Sequence, residues 1–164
     1  GGKVGRGSEN KVPFAIAVSL NDDGHPIRTK LTPVSGFSHD AIERWAAAHL
    51  AGACTVVASD GLACFLSVTA IGCEHEPIIV RGRKPSEVPE LQWVNTVLGN
   101  LKTSLSGVYH GFAFRKYAAR YLGAFAYRCN RRFDLSTLHE RLVVAAVHCA
   151  PQPQRRIRVA EAHC

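Results

Sequence analysis

Apolar runs and turn residues divide the first 34 positions into a β-hairpin. VPFAIAVSL (12–20) has the apolar content of a strand, and IRTKLTPV (27–34) alternates in part between apolar and polar residues. Between them, NDDGHP (21–26) supplies the residue types that favour tight turns. The pattern predicts two antiparallel strands, with Asp22 and Asp23 serving the turn rather than catalysis.

A helix, a strand, a short helix and another strand are predicted next. Ser38 suits a helix N-cap, and Gly52 is expected to end that helix. The continuous apolar run CTVVAS (54–59) predicts a strand covered on both faces. A short helix over 62–72 and a strand EPIIV (76–80) follow. The first helix rests on apolar positions at helical spacing: Ile42, Trp45, Ala46, His49 and Leu50.

Helical periodicity dominates the rest of the chain. After a charged loop (81–90), a helix is predicted over 93–110, and a longer one from Phe114 through RCNRRF (128–133). A last helix is predicted to begin near the cap Asp134, with these positions directed inward: Leu138, Leu142, Ala145 and Cys149. The predicted organisation is a mixed α/β domain over residues 1–150, followed by a basic polar tail over 151–164.

Composition limits the class of protein. With 164 residues and 46% hydrophobic content the chain can form one core, and no apolar run approaches the roughly 18 to 20 residues that span a bilayer. The net charge of +7 favours a polyanionic partner, with DNA or RNA ahead of a membrane surface. The six cysteines form no CxxC pair, so we expect reduced thiols. Cys73 and His75 are two apart, but no second pair has the spacing of a zinc site.

Three polar residues stand where phosphoryl-transfer chemistry needs them. Asp60 closes the apolar run 54–59, and Asn95 and Lys102 lie seven positions apart on a predicted helix. Seven residues make about two helical turns, so both side chains leave one face. A carboxylate and an amide oxygen suit a magnesium ion, whereas the Lys102 ammonium is suited to a phosphate. The alternatives are that Asp60 caps the following helix and that Asn95 and Lys102 are solvated surface positions.

Four arginines form a second candidate region. Positions 120, 124, 128 and 132 are spaced by four on the predicted helix, so Arg120, Arg128 and Arg132 share a face, with Arg131 beside them. This face is either an ordinary solvated surface or a ridge that contacts DNA phosphates without reading base sequence.

The chain resembles insertion-sequence transposases of the DDE superfamily from Gly1 to about Arg141. The similarity is carried by SDGLACF around Asp60, by VNTVLGNLKTSLSGVYH, which holds Asn95 and Lys102, and by RYLGAFAYRCNRRFD. Asp60 and Asn95 are 35 residues apart, as this family leads one to expect. The match is to the branch with asparagine as third catalytic residue and lysine seven positions later.

The resemblance implies an RNase H-like fold, a mixed sheet of a β-hairpin plus parallel strands with flanking helices. It makes Asp60 and Asn95 ligands of Mg²⁺ (or Mn²⁺), with two ions in the intact enzyme, and Lys102 a catalytic lysine that positions DNA. It also makes Arg128 and Arg131 basic positions of the motif RYLGAFAYRCNRRFD, in which Ala124 replaces the usual acid. The family's first strand and first aspartate would precede Gly1, so we expect a fragment that is inactive alone.

The function expected from this resemblance is cleavage of transposon ends and their joining to target DNA. The intact enzyme would be a homo-oligomer, without a membrane partner, in the prokaryotic cytoplasm at the nucleoid. The alternatives are a non-catalytic basic DNA-binding remnant and an RNase H-like nuclease. A steep salt dependence of DNA binding without magnesium dependence distinguishes the remnant, and cutting without joining distinguishes the nuclease.

Overall fold

A computed structural model describes residues 11–50, 56–109 and 113–159. Its elements confirm a mixed α/β chain that is compatible with the RNase H-like fold. In chain order they are β1 (Phe14–Leu20), β2 (Pro26–Pro33), α1 (His39–His49), β3 (Val56–Ser59), a 3-10 helix (Ala63–Ile71), β4 (Glu74–Pro77), two 3-10 turns (Pro85–Glu87 and Pro89–Leu91), α2 (Gln92–Val108), α3 (Phe114–Cys129), α4 (Leu138–His148) and α5 (Gln154–Arg158).

The predicted hairpin is confirmed. β1 and β2 pair antiparallel from Phe14 opposite Pro33 to Leu20 opposite Pro26, with a register shift between Ser19 and Leu20. The turn closes because the Asn21 side chain accepts a 2.7 Å hydrogen bond from the His25 N–H. Gly24 adopts a positive φ of 77°, which a residue without Cβ tolerates. The Asn-Asp-Gly-Pro chemistry of the sequence thus folds as a turn.

Helices cover both faces of the hairpin, since alternate residues of a strand point in opposite directions. On one face, Ala15 and Ala17 contact the first core cluster. This cluster contains Ile42 and Trp45 of α1 and Val68 of the 3-10 helix. On the other face, β1 and β2 contact the second cluster, formed with α2 and α3; its residues are Phe14, Ile16, Val18, Leu31, Val97, Leu101, Leu122 and Phe125. The hairpin is the middle layer of an α/β/α arrangement.

The parallel strands form a separate two-stranded sheet among the described residues. β3 and β4 run side by side from Val56 opposite Glu74 to Ser59 opposite Pro77. The prediction of a strand covered on both faces is wrong here, because Val56 is 50% exposed; only the opposite face, with Val57, meets the first cluster. Cys54, in the predicted run, lies outside the described residues.

The second parallel strand lies earlier than predicted, at Glu74–Pro77 instead of 76–80. Proline has no N–H to continue a ladder, and the Ile78 N–H makes the last bond, 2.7 Å to the Ser59 carbonyl. The expectation of reduced thiols is also wrong at one position. Cys73 is disulfide-bonded, whereas Cys64 is buried in the first cluster and forms no disulfide.

The predicted helices α1, α2 and α3 are present, but α3 ends within RCNRRF (128–133) instead of running through it. It ends at Cys129 because the next side chain, Asn130, bonds the hairpin. The Asn130 amide accepts from the Thr29 N–H at 2.7 Å and donates to the Thr29 carbonyl at 2.9 Å. One side chain therefore completes two backbone bonds of β2 and fixes the end of α3 against it.

The last helix begins later than predicted and is not buried. α4 starts at Leu138, and Asp134 instead accepts a 2.8 Å bond from the Thr137 hydroxyl, which lowers the pKa of the Asp134 carboxyl. The inward positions predicted for this helix are wrong: Leu142 is 51% exposed and the free Cys149 is exposed. The expected polar tail contains the short exposed helix α5. None of the described helices combines the length and apolar character that a bilayer crossing requires.

Candidate active site

The turn after β3 presents Asp60 to solvent. Ser59, the last residue of the strand, is buried, and Asp60 is exposed directly beside it. Gly61 follows with a φ of 76°, and a Cβ there would lie 3.4 Å from the Ile78 carbonyl oxygen. The Asp60 carboxylate accepts a 3.3 Å bond from the Leu62 N–H at the start of the 3-10 helix. This contact closes the turn before the 3-10 helix, but it does not cap the helix as one interpretation predicted, because the N-cap residue is Leu62 and no side chain caps it. Asp60 is exposed on this turn.

A serine–histidine pair that the sequence pattern does not indicate lies directly behind this turn. The Ser59 hydroxyl and His75 Nε2 are 2.9 Å apart, between neighbouring parallel strands. The Gly61 N–H also donates to the Ser59 hydroxyl, at 3.4 Å. In the sequence, Ser59 is only the end of an apolar run and His75 only half of a possible Cys73–His75 zinc pair, which the disulfide at Cys73 removes. Only the parallel register brings Ser59 and His75 together.

Asn95 and Lys102 lie on α2 as predicted. Seven residues along an α-helix turn by about 700°, so the two side chains leave the helix about 20° apart. Asn95 is half-buried and Lys102 exposed, at the border of the apolar stripe that holds Val97 and Leu101. Two residues before Asn95, the Trp93 indole N–H donates a 2.8 Å bond to the Gly24 carbonyl. The hairpin turn thereby fixes the start of α2.

The two halves of the candidate site are linked through the backbone before α2. β3, which ends at Ser59, contacts the 3-10 turn Pro89–Leu91, and α2 begins at the next residue, Gln92. The helix that carries Asn95 therefore starts beside the strand that presents Asp60.

The donor chemistry suits a hard divalent cation. Asp60 offers carboxylate oxygens and Asn95 an amide oxygen, the ligand types that Mg²⁺ and Mn²⁺ prefer. Among residues 11–50, 56–109 and 113–159, no group of three or more His, Cys, Asp or Glu side chains could hold a metal. Two protein oxygens are fewer ligands than Mg²⁺ takes, so an ion held by Asp60 and Asn95 would need waters and substrate oxygens as its other ligands.

The predicted arginine ridge is only partly formed. Arg128 is exposed on α3 and donates a 3.2 Å bond to the Ser104 hydroxyl of α2. Arg120, about two helical turns earlier, donates to the Ile157 carbonyl of α5, and its guanidinium lies 5.2 Å from the centre of the Tyr117 ring. These two arginines fasten α3 to α2 and to α5.

The other two arginines lie beyond the helix, so the single helical face predicted for Arg132 is wrong. Arg132 donates to the Pro26 carbonyl at the start of β2 and lies over the Phe133 ring at 4.3 Å. Arg131 stacks over the Tyr127 ring at 3.7 Å, and its buried Nε has no hydrogen-bond partner. The early end of α3 at Asn130 causes this change. DNA contact by the four arginines stays a prediction.

Comparison with known protein families decides the class. Residues 1–130 match the model of the ISXO2-like transposase domain. The chain belongs to this family. No curated protein and no solved structure matches the chain. The resemblance to insertion-sequence transposases of the DDE type is thereby confirmed, and DNA is the partner that such a family implies. The matched residues include Asp60, Asn95 and Lys102, whereas α4 and α5 lie beyond them.

Proposed function

We propose that this transposase-family chain carries part of a metal-dependent site that cleaves transposon ends and transfers the strand to target DNA. In this proposal Asp60 and Asn95 are the metal ligands, and Lys102 contacts a DNA phosphate near the reacting bond. The supporting observation is the exposed Asp60 carboxylate on a closed turn, at the strand end beside the start of the helix that carries Asn95.

The reaction consists of two displacements at phosphorus. In cleavage, a water oxygen forms a bond to the phosphorus at the transposon end, and the bond from phosphorus to the 3′ oxygen breaks, leaving a 3′ hydroxyl. In joining, this hydroxyl oxygen forms a bond to a target phosphorus, and the target's own 3′ oxygen leaves with a proton. Bound Mg²⁺ or Mn²⁺ would supply positive charge at the reacting phosphate.

The candidate residues have separate roles in this proposal. The Asp60 carboxylate and the Asn95 amide oxygen hold the ion with one negative charge between them. The Lys102 ammonium, two turns along the same helix face, attracts a phosphate as a point charge. Arg128 is exposed on the neighbouring helix and extends the positive surface. Arg120, Arg131 and Arg132 contribute long-range attraction within a chain of net charge +7.

The cellular setting follows from the chemistry. Two transposon ends must be held together for transfer, which favours a homo-oligomer in the intact enzyme. The substrate is chromosomal or plasmid DNA, so the proposed location is the prokaryotic cytoplasm, in association with the nucleoid.

The proposal is tested by locating bound Mn²⁺ in the 164-residue chain in the presence of a short DNA duplex. Paramagnetic Mn²⁺ broadens amide resonances near its site, and titration gives the affinity. We expect broadening at Gly61 and Leu62 that Asp60→Ala removes and Asn95→Ala weakens. Asn100→Ala, on an exposed position of the same helix, is the matched control. Equal broadening in the unaltered chain and Asp60→Ala would overturn the metal site.

A second measurement tests the DNA contact of Lys102. Its replacement by alanine should weaken duplex binding and reduce the slope of log affinity against log salt by about 0.9, the contribution of one phosphate contact. Lys30→Ala is the control, since Lys30 is an exposed residue of β2 near His49. An equal loss of DNA affinity in both variants would show that Lys102 attracts DNA through its charge alone, without a specific phosphate contact. Binding that depends on salt but not on Mn²⁺ would favour the non-catalytic DNA-binding alternative.

A further inference from the structure

The Ser59–His75 pair is a part-buried polar contact beside Asp60. Ser59 is 6% exposed, and in the described part of the chain it is one of two buried polar residues, with Thr29. A buried hydroxyl needs hydrogen-bond partners, because an unpaired one loses its contacts with water without replacing them. Thr29 satisfies this need by bonding the β1 carbonyl of Ala17 within the hairpin. Ser59 instead bonds a side chain, His75, on the neighbouring strand.

Strand register explains how the two side chains meet. Val57 pairs with His75 and Ser59 pairs with Pro77 across the parallel strands. Residues two apart on a strand share a face, so Ser59 and His75 lie on the same side of the sheet, one step apart along it. The imidazole therefore reaches the hydroxyl diagonally, at 2.9 Å.

The hydrogen bonds of Ser59 fix both neighbours of Asp60. The Ser59 carbonyl accepts from the Ile78 N–H at 2.7 Å, and its hydroxyl accepts from the Gly61 N–H at 3.4 Å. The Gly61 N–H uses one lone pair of the hydroxyl oxygen, and the second lone pair and the hydroxyl proton face His75 Nε2, so the direction of that hydrogen bond follows the ring tautomer. The Ser59 side chain thus connects β4 to the peptide that follows Asp60.

A nucleophilic role for this pair fits the structure less well. A serine within hydrogen-bonding distance of histidine has the arrangement of an activated nucleophile. Ser59, however, is buried under the turn, and its oxygen is engaged by the Gly61 N–H. The exposed group at this place is the next residue, Asp60, and any substrate reaching the turn meets that carboxylate first.

We propose that Ser59 and His75 are positioning residues that hold the Asp60 carboxylate in the orientation needed to bind the metal ion. This inference rests on the proposed function, since it takes Asp60 as a ligand. The physical reason is preorganisation: a carboxylate on a turn with fixed neighbours loses less freedom when it binds an ion. Substituting a residue that orients a metal ligand typically lowers metal affinity by about 10-fold to 100-fold.

The test is the Mn²⁺ titration described above, with two disrupting and two conservative variants. Ser59→Ala deletes the hydroxyl and His75→Leu deletes the ring nitrogens. Ser59→Thr keeps a hydroxyl, and His75→Gln keeps an acceptor near the position of Nε2. We expect the disrupting variants to weaken Mn²⁺ affinity by about 10-fold or more. The conservative variants should bind Mn²⁺ with nearly the affinity of the unaltered chain. Urea titrations check that all four variants are folded.

The outcomes separate this inference from the proposed function. If Asp60→Ala abolishes Mn²⁺ binding but Ser59→Ala and His75→Leu bind as tightly as the unaltered chain, the positioning role is wrong and the metal site stands. If Asp60→Ala itself changes nothing, both proposals fail. If the affinity falls only in proportion to lost stability, and the conservative variants do not restore it, the pair is merely structural. Should His75→Leu fail to fold, Ser59→Ala, which removes a single oxygen atom, decides the question.

Discussion

The two small sheets of this molecule differ in how they are covered. The β1–β2 hairpin has helices on both faces, and its apolar residues divide between two core clusters. The β3–β4 pair contacts the first cluster on one side, while Val56, Ala58, Glu74 and Glu76 remain exposed. The hairpin is held by burial, whereas the parallel pair is held by backbone pairing and by the Ser59–His75 contact.

The difference shows where stability and chemistry are located in this chain. The buried hairpin positions α2 and α3 through packing and through Asn130 and Trp93. The less covered sheet presents Asp60 at its end, where an ion and a DNA backbone have access. A side chain that must meet solvent and substrate cannot also be a core residue. Substitutions in the hairpin should therefore affect unfolding, and those at the turn should affect binding.

The largest effect is expected from shortening a hairpin core residue. Leu31→Ala removes a buried side chain from the second cluster and should lower the free energy of unfolding by about 2–5 kcal/mol. Val56→Ala, in the exposed face of β3, should cost within about 1 kcal/mol. Leu142→Ala on α4 is the size-matched control. Urea unfolding measures all three, and equal losses at Leu31 and Val56 would contradict the comparison.

The next effect concerns the connection between α3 and the hairpin. Asn130→Ala leaves the part-buried N–H and carbonyl of Thr29 without their side-chain partner and should cost about 1–3 kcal/mol. Asn100→Ala, on the exposed surface of α2, should change stability within about 0.5 kcal/mol. Amide hydrogen exchange at Thr29 provides a local reading: its protection should fall in Asn130→Ala alone. Unchanged protection there would show that other contacts hold the end of α3.

A smaller effect concerns pH on the α1 side of the hairpin. Burial lowers the pKa of the His49 imidazole below 6.5, and nearby Lys30 lowers it further. Above pH 6.5 the ring is neutral in the folded and unfolded states, so it contributes no pH dependence. As the pH falls through 6.5 the unfolded chain takes up the proton first, and stability declines until the lowered folded pKa is passed.

The variant His49→Gln should flatten this part of the stability curve. Urea midpoints measured between neutral and mildly acidic pH give the slope for each chain. His139→Gln, at an exposed position of α4, is the control and should leave the slope unchanged. A slope that survives in His49→Gln would assign the acid sensitivity to another group.

The smallest effect on stability is expected at the candidate ligand itself. Asp60→Asn keeps a side-chain oxygen that accepts the Leu62 N–H, so the free energy of unfolding should change within about 0.5 kcal/mol. The same change removes the negative charge that a cation needs. A loss of stability comparable to that of Leu31→Ala would mean that the turn belongs to the structural core.

Local chemistry allowed much of this fold to be predicted. The turn residues NDDGHP, the Ser38 cap and the apolar stripe of α2 act over a few neighbouring residues, and each prediction is confirmed. The family resemblance, confirmed over residues 1–130, identified Asp60, Asn95 and Lys102 as candidates, and their roles stay predictions.

The wrong predictions concern features that depend on contacts between residues far apart in the sequence. α3 ends at Cys129 because Asn130 bonds Thr29, which is 101 positions away in the sequence. β4 spans Glu74–Pro77 because its parallel register with β3 sets its start, and the missing N–H of Pro77 limits its end. The pairing of Ser59 with His75 depends on the same register. The inward stripe expected for α4 has no neighbouring element to cover it among the described residues.

The two tryptophans of the chain allow unfolding on each side of the hairpin to be followed by fluorescence. Trp45 is buried with α1 in the first cluster, whereas Trp93 on the other side bonds the tip of the hairpin. Emission from chains that keep only one indole therefore reports on one layer at a time. Coincident denaturation curves would show both layers melting as one cooperative unit, and separate curves would reveal which layer detaches first.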